Sequence, residues 1–426
     1  MNTTYLAVGS PTTVLDDTQL RGLVTATLAK LGPKQRVLAV PPDHTRSDSR
    51  AGAILAATHA HYGSALSDVL PALGTHRPMT DQQIAQMYPG IPPSLFRIHD
   101  WRNDVITVGT LDADFVRKAT EGIWDKPWPA QLNKLIWDSG HDLILSIGQV
   151  VPHEVAGMAN HAKNLFIGAG GKAGIDESHF IGAAFGMERM MGRADTPVRR
   201  LLNEALARFC KHLRIVFVLT VVGPDQCGGT VVRGLYIGEG RECFELAAKL
   251  SLLVNFTVLD EAPRTVVAYL DEHEFHTTWL GNKSIYRTRM AIADGGELIV
   301  LAPGVRGFGE DPAIDALIRR YGYRGTTETM RLVREHADLR DSLSAAAHLI
   351  HGSSEGRFHV TYCPGGLTRA EIESVGYGFA DLDDMCRRYD PNRLKPGWNT
   401  CADGSLIYFV SKPALGLWAS RERLAQ

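Results

Sequence analysis

The chain has 426 residues, 44% hydrophobic and 22% charged, with 45 Lys and Arg against 47 Asp and Glu. Its length exceeds one ordinary core and predicts two domains, while a formal net charge of −2 supplies no long-range field to attract nucleic acid or an acidic membrane. No stretch reaches the roughly 20 apolar residues of a membrane span, the first residues do not read as a signal peptide, and six scattered cysteines without a CxxC pair suit reduced thiols in a cytoplasmic protein.

In chain order, Arg36–Val40 reads as a strand ending at Pro41-Pro42, and Ala51–His61 as a helix reaching Gly63. Asp68–Leu73 is strand-like before Gly74, and Thr80 is a plausible N-cap for a short helix to Met87. Asp142–Gly148 forms another strand-then-glycine unit, and Pro197–Cys210 a helix with Pro in its first turn. The apolar run Arg214–Val222 suits a buried parallel strand. A second set follows: strand Arg264–Leu270, helix Ser284–Asp294, strand Glu297–Ala302, helices Pro312–Tyr321 and Asp341–Ile350, strand Arg357–Tyr362, and a tail strand Ser405–Val410. The expectation is an α/β protein of two α/β domains with an active-site cleft between them and a parallel-rich sheet in the N-terminal domain. The first domain, 1–265, carries the catalytic and cofactor-binding residues; 266–397 forms the C-terminal substrate-cleft domain, and 398–426 is open to rejoining the first.

Histidines recur where the strands end: Asp43-His44-Thr45-Arg46, Gly74-Thr75-His76-Arg77-Pro78, Pro152-His153-Glu154, and His179 further on. One such histidine is more often a hydrogen-bonded structural residue than a base or ligand. Four on the strand-end loops of one α/β sheet converge on one crevice. Imidazole suits proton transfer near neutral pH, metal ligation, or both. Arg46 and Arg77 suit bidentate capture of a carboxylate; the alternative is a structural ion pair with Asp43 or another acid. The glycine-rich run Gly168–Gly174 lacks Walker spacing and is expected to leave backbone room for a flat cofactor. Tryptophans such as Trp279 are expected in packing.

Asp43-His44-Thr45-Arg46, Gly74-Thr75-His76-Arg77-Pro78 and Pro152-His153-Glu154-Val155-Ala156-Gly157 together resemble the DHTR, G-x-HRP and PH-x-x-AG motifs of the lactate racemase family. Lys163 follows His153 by ten residues and His179 follows Lys163 by sixteen, as in that family. The resemblance implies a racemase or epimerase, an isomerase that inverts a 2-hydroxy acid by hydride transfer. Its cofactor is a nickel-pincer nucleotide, a nickel pyridinium thioamide–thiocarboxylate, tethered to Lys163, with His179 on nickel. His76 and His153 are then paired acid/bases. Asp43, Thr45, Gly170, Gly171 and Tyr286 are expected on the cofactor, and Arg46, Arg77, Arg287 and Arg289 on the substrate. Partners would be the small hydroxy acid and cofactor-maturation enzymes, with homo-oligomerisation left open.

The chain departs from the family at three places. Ala159–Asn164 stands where a GGRK-type stretch precedes the lysine, and Ser47-Asp48-Ser49-Arg50 continues the first loop in place of a proline-rich turn. In Ile285-Tyr286-Arg287-Thr288-Arg289-Met290, similar to IYQ-x-x-K, Arg287 replaces the glutamine and Met290 the lysine, with Lys283 and Arg289 nearby. These changes favour a polar or sugar acid over lactate. Three alternatives are weighed. A zinc-type hydrolase or lyase would need HExxH, but Gly157 stands where its second histidine belongs. An NAD-linked dehydrogenase would need GxGxxG where Pro41-Pro42-Asp43-His44 stands. A non-catalytic homologue would bind a hydroxy acid or metal, and the joint presence of Lys163, His179, His76 and His153 argues against it.

Overall fold

Val37–Val40 (β2) and Leu143–Gln149 (β4) are buried at every residue, and Ile215–Pro224 (β5) at all but its last. Such runs, without polar alternation, belong to strands covered on both faces; each fully buried Leu or Ile contributes ~1.5–3 kcal/mol. The computed structural model describes residues 3–138, 140–225 and 229–424; Cys227 lies outside the described residues. It divides into two compact units. One holds the chain up to Ile181 with Met190–Asn255, the other Gly182–Arg189 with the chain from Phe256 on.

The first unit is built on a six-stranded sheet completed by Thr4–Gly9 (β1), Leu66–Val69 (β3) and Thr230–Gly238 (β6), in the order β1-β6-β5-β4-β2-β3. Strands β3, β2, β4 and β5 run parallel; β6 and β1 add an antiparallel margin. The loops after β2, β3 and β4 therefore leave the same edge of the sheet from three adjacent strands. Local chemistry sets the helices. Thr80 caps Asp81–Met87 in a capping box with Gln83, and Thr196 caps Pro197–Phe209 with Pro197 at its start. Between β3 and β4 an antiparallel pair, Val105–Leu111 with Trp128–Asn133, is inserted.

The second unit has its own sheet: Thr265–Tyr269 (β7), Glu297–Ala302 (β8), His359–Pro364 (β9), Gly378–Phe379 (β10), Gly397–Thr400 (β11) and Leu406–Val410 (β12), in the order β10-β9-β8-β7-β12-β11. Only β11 is antiparallel. The protein is thus α/β, with two α/β units and a parallel-rich first sheet. Of the tail, β11 and β12 join the second sheet, while the strand Leu417–Ser420 pairs in parallel with Phe256–Leu259; the division falls at Asn255/Phe256, ahead of the expected 265. The expected helix Ser284–Asp294 is shorter: Lys283–Thr288 is helical, and Met290 then forms a β-bridge with Ala419. Backbone partners from the tail override local helix preference there, Ser420 N–H donating to Met290 O. Cys210, Cys243 and Cys363 are buried thiols, each pushed up to about 12 by burial.

Candidate active site

The loop after β2 begins with Asp43, which caps the short 3-10 turn His44–Ser49. One carboxylate oxygen accepts from Thr45 N–H at 3.2 Å and Thr45 Oγ1–H at 2.6 Å. The other lies 2.5 Å from His76 Nδ1, on the loop after β3. Burial alone would raise the Asp43 pKa, but the charge and hydrogen bond of His76, with Arg46 and Thr45, outweigh it and hold the carboxylate well below its usual range. An anion there fixes the imidazole, with Nδ1 donating and Nε2 left as the reactive nitrogen. Tyr88 closes this turn from beneath, its hydroxyl donating to Pro42 O.

Arg46 is half-buried and donates from Nη1 to Thr45 O at 3.1 Å and Thr45 Oγ1 at 3.0 Å; Arg77 is exposed. After β4, Pro152-His153 pairs back on Gly157-Met158. His153 Nδ1 accepts from Val155 N–H at 3.1 Å, and its Nε2 stands 3.8 Å from Glu154 Oε1. By that bond the neutral ring carries its proton on Nε2, opposite to His76.

Lys163 precedes a single π-turn, Asn164–Gly168, a kink that often accompanies functional positions. Asn164 anchors it to the sheet, donating from Nδ2 to Val40 O (3.1 Å) and Ser146 Oγ (3.0 Å). Gly168 O accepts from Gly74 N–H at 2.8 Å, which ties this segment to the His76 loop. His179 lies on the helix Lys172–Phe185, with Nδ1–H donating to Ile175 O at 2.7 Å. Burial lowers its pKa, opposed by that carbonyl; Lys163 lowers it and Asp176 and Glu154 raise it. Lys163, Glu154 and His179 thus share one electrostatic neighbourhood. Among the described residues no group of three His, Cys, Asp or Glu is arranged to hold a metal.

The structure therefore brings Asp43, Thr45, Arg46 and His76 into direct contact, while Glu154 and Lys163 act on His179 through charge. The glycines do something other than expected. A side chain at Gly170 would strike Phe166 O, and one at Gly171 would come within 2.5 Å of Gln131 Oε1. Their smallness is required by the chain's own packing.

In the second unit Tyr286 is buried, with its hydroxyl 2.9 Å from His348 Nδ1. His348 Nε2 meets Tyr323 Oη at 2.9 Å, Tyr323 meets Thr278 Oγ1 at 2.8 Å, and Trp279 lies over His348 at 4.5 Å. Arg287 is buried and reaches Gly416 O at 3.4 Å. Arg289 is buried against Glu188 Oε1 at 2.7 Å and Ser353 O at 3.3 Å. A guanidinium so engaged is a structural ion pair, which corrects the expectation that Arg289 grips substrate. Sequence reasoning passed over Gln131, His99 and Asn133; the signal available was the glycine pair at 170–171, which demands a close neighbour.

Comparison with known proteins bears on the domain and the fold. Residues 24–190 match the model of the lactate racemase N-terminal domain. The fold is shared with a crystal structure of a Thermotoga maritima protein, at TM-score 0.82 and 24% identity over 98% of this chain and 100% of that one. It is also shared with the lactate racemase apoprotein of Thermoanaerobacterium thermosaccharolyticum, at TM-score 0.68 and 16% identity over 97% and 94%. No curated protein matches the sequence.

Proposed function

We propose that this protein is an isomerase that inverts C2 of a polar 2-hydroxy acid, with a nickel-pincer cofactor tethered to Lys163 and His179 as its side-chain ligand to nickel. The observation that carries the reading is an Asp43-backed His76 on a loop tied by Gly74 N–H to Gly168 O of the segment that follows Lys163, whose charge acts on His179. The donor set fits the group. With Nδ1–H given to Ile175 O, His179 keeps its Nε2 lone pair, the form in which a neutral imidazole binds nickel. The charge of Lys163 reaches His179 and lowers its pKa.

The cofactor would supply a reversible acceptor for the hydride on C2. The protein's part is position, charge and protons. His76 takes the hydroxyl proton on Nε2, and the Asp43 anion stabilises the imidazolium that results, as a buried aspartate does behind any catalytic imidazole. His153, with Nδ1 occupied by Val155 N–H, offers Nε2–H to a substrate oxygen; to take the hydroxyl proton of the opposite enantiomer it has to release Val155 N–H and carry its own proton on Nδ1, which frees the Nε2 lone pair. Arg46, locked to Thr45 through one nitrogen, presents the rest of its fork to the carboxylate, and the exposed Arg77 extends the cationic rim toward a longer, hydroxyl-rich acid. Met290, buried at 6% exposure, leaves no ammonium where the family has one, which again favours a substrate other than lactate. Maturation enzymes would have to deliver the cofactor.

The test is intact mass and nickel content of protein made in cells carrying the pincer-synthesis enzymes. Wild type should carry a nickel-bearing adduct that Lys163→Ala lacks, and a screen of 2-hydroxy acids by chiral chromatography should then find the substrate. An adduct-free wild type, where a known relative becomes loaded, overturns the reading.

A further inference from the structure

The stretch between the tether and the ligand, residues 164–178, is gripped from one side by the inserted strand pair and the turn that leads into it. His99 is 2% exposed; burial lowers its pKa to about 4, so it is neutral. Its Nε2 lies 3.0 Å from Gly170 O and its Nδ1 3.0 Å from Asn133 Nδ2. The carbonyl can only accept and the amide nitrogen can only donate, so the tautomer is fixed as Nε2–H. Asn133 N–H in turn donates to Ala169 O at 2.8 Å. Two residues back, Gln131 Oε1 accepts from Ala173 N–H at 3.1 Å and Gly174 N–H at 3.3 Å. Those are among the first amides of the helix that carries His179, which otherwise lack partners at a helix start. Trp128, fully buried, meets Phe166 edge-on at 6.2 Å.

We infer that Gln131, His99 and Asn133 are positioning residues for the metal ligand: a cap borrowed from a distant strand that fixes where the helix begins, and hence where His179 stands relative to Lys163. The inference rests on the proposed nickel-pincer reading. Four hydrogen bonds hold residues 169, 170, 173 and 174, so the spacer is fixed at both ends of its glycine turn between the covalent anchor and the imidazole. Gln131 reaches the helix start with an acceptor oxygen, the group a positive helix N-terminus prefers. None of the three touches the reacting atoms.

The experiment compares Gln131→Leu, which keeps the bulk and removes the acceptor, with Gln131→Glu, which keeps the acceptor, in protein matured with the pincer enzymes. Intact mass reports the tethered organic group; a colorimetric chelator reports the rate of nickel release. Gln131→Leu should keep the Lys163 adduct and release nickel roughly 10- to 100-fold faster, the range for losing an outer-shell partner, and Gln131→Glu should restore the wild-type rate. His99→Leu against His99→Gln gives the same contrast should Gln131→Leu not fold. Equal release from the leucine variants and wild type, or loss that the polar variants do not restore, overturns the inference. Failure of the underlying reading is separate and visible at once, as wild type without any adduct.

Discussion

Two cation-bearing segments of this protein, Asp43–Arg46 and Tyr286–Arg289, look alike in sequence and behave differently in structure. The first is half open: Arg46 is held by its neighbour Thr45 through a single nitrogen, and Asp43 is committed to His76. The second is turned into its own unit, with Arg289 on Glu188 and Ser353 O and Tyr286 on His348. A charged residue near a family motif is therefore evidence for a binding site only once its own partners are known.

The contrast can be broken in four ways. The largest effect belongs to Asp43→Asn. Loss of the anion behind His76 should cut kcat for inversion by roughly 10²- to 10⁴-fold with KM little changed; a fall below fivefold would remove His76 as the base.

Next comes pH. His99 has its pKa depressed from 6.5 to about 4 by burial, so the unfolded chain binds more protons between those values. The stability it confers is full above pH 6.5 and is lost as pH falls toward 4, by roughly 3 kcal/mol. His99→Gln should flatten that part of the urea-unfolding profile of the first unit, and an unchanged slope would refute the assignment.

Arg289→Met should cost about 2 kcal/mol in urea unfolding, less than the ~3–5 of a fully buried pair because the Glu188 side chain stays 35% exposed, and should leave KM unchanged. A raised KM at constant stability would return Arg289 to the substrate. Smallest is Tyr286→Phe, expected to lose about 1 kcal/mol with its hydrogen bond to His348; a loss of cofactor loading at unaltered stability would instead place the phenol on the cofactor.

What was legible in the sequence follows from where the forces are local. The buried parallel strands announce themselves as unbroken apolar runs, and Thr80 and Thr196 cap helices by bonds to residues three positions on. Asp43 and His76 were legible as members of motifs, but their 2.5 Å pairing was not, since it depends on β2 and β3 lying side by side. The end of the helix at Thr288 was hidden because its cause, the tail strand at Ala419, lies far along the chain. Gln131 was hidden more completely: a glutamine in an ordinary alternating strand carries no local mark of the helix it caps.

The near-contact of Gly171 with Gln131 also has an evolutionary side. A Cβ at 171 would sit 2.5 Å from Gln131 Oε1, so neither position is free to drift alone. Relatives that acquire a side chain at 171 should show a shorter residue at 131, and with it a new acceptor, from another strand or a serine in the turn, for the amides of Ala173 and Gly174. The two positions should be inherited as a pair.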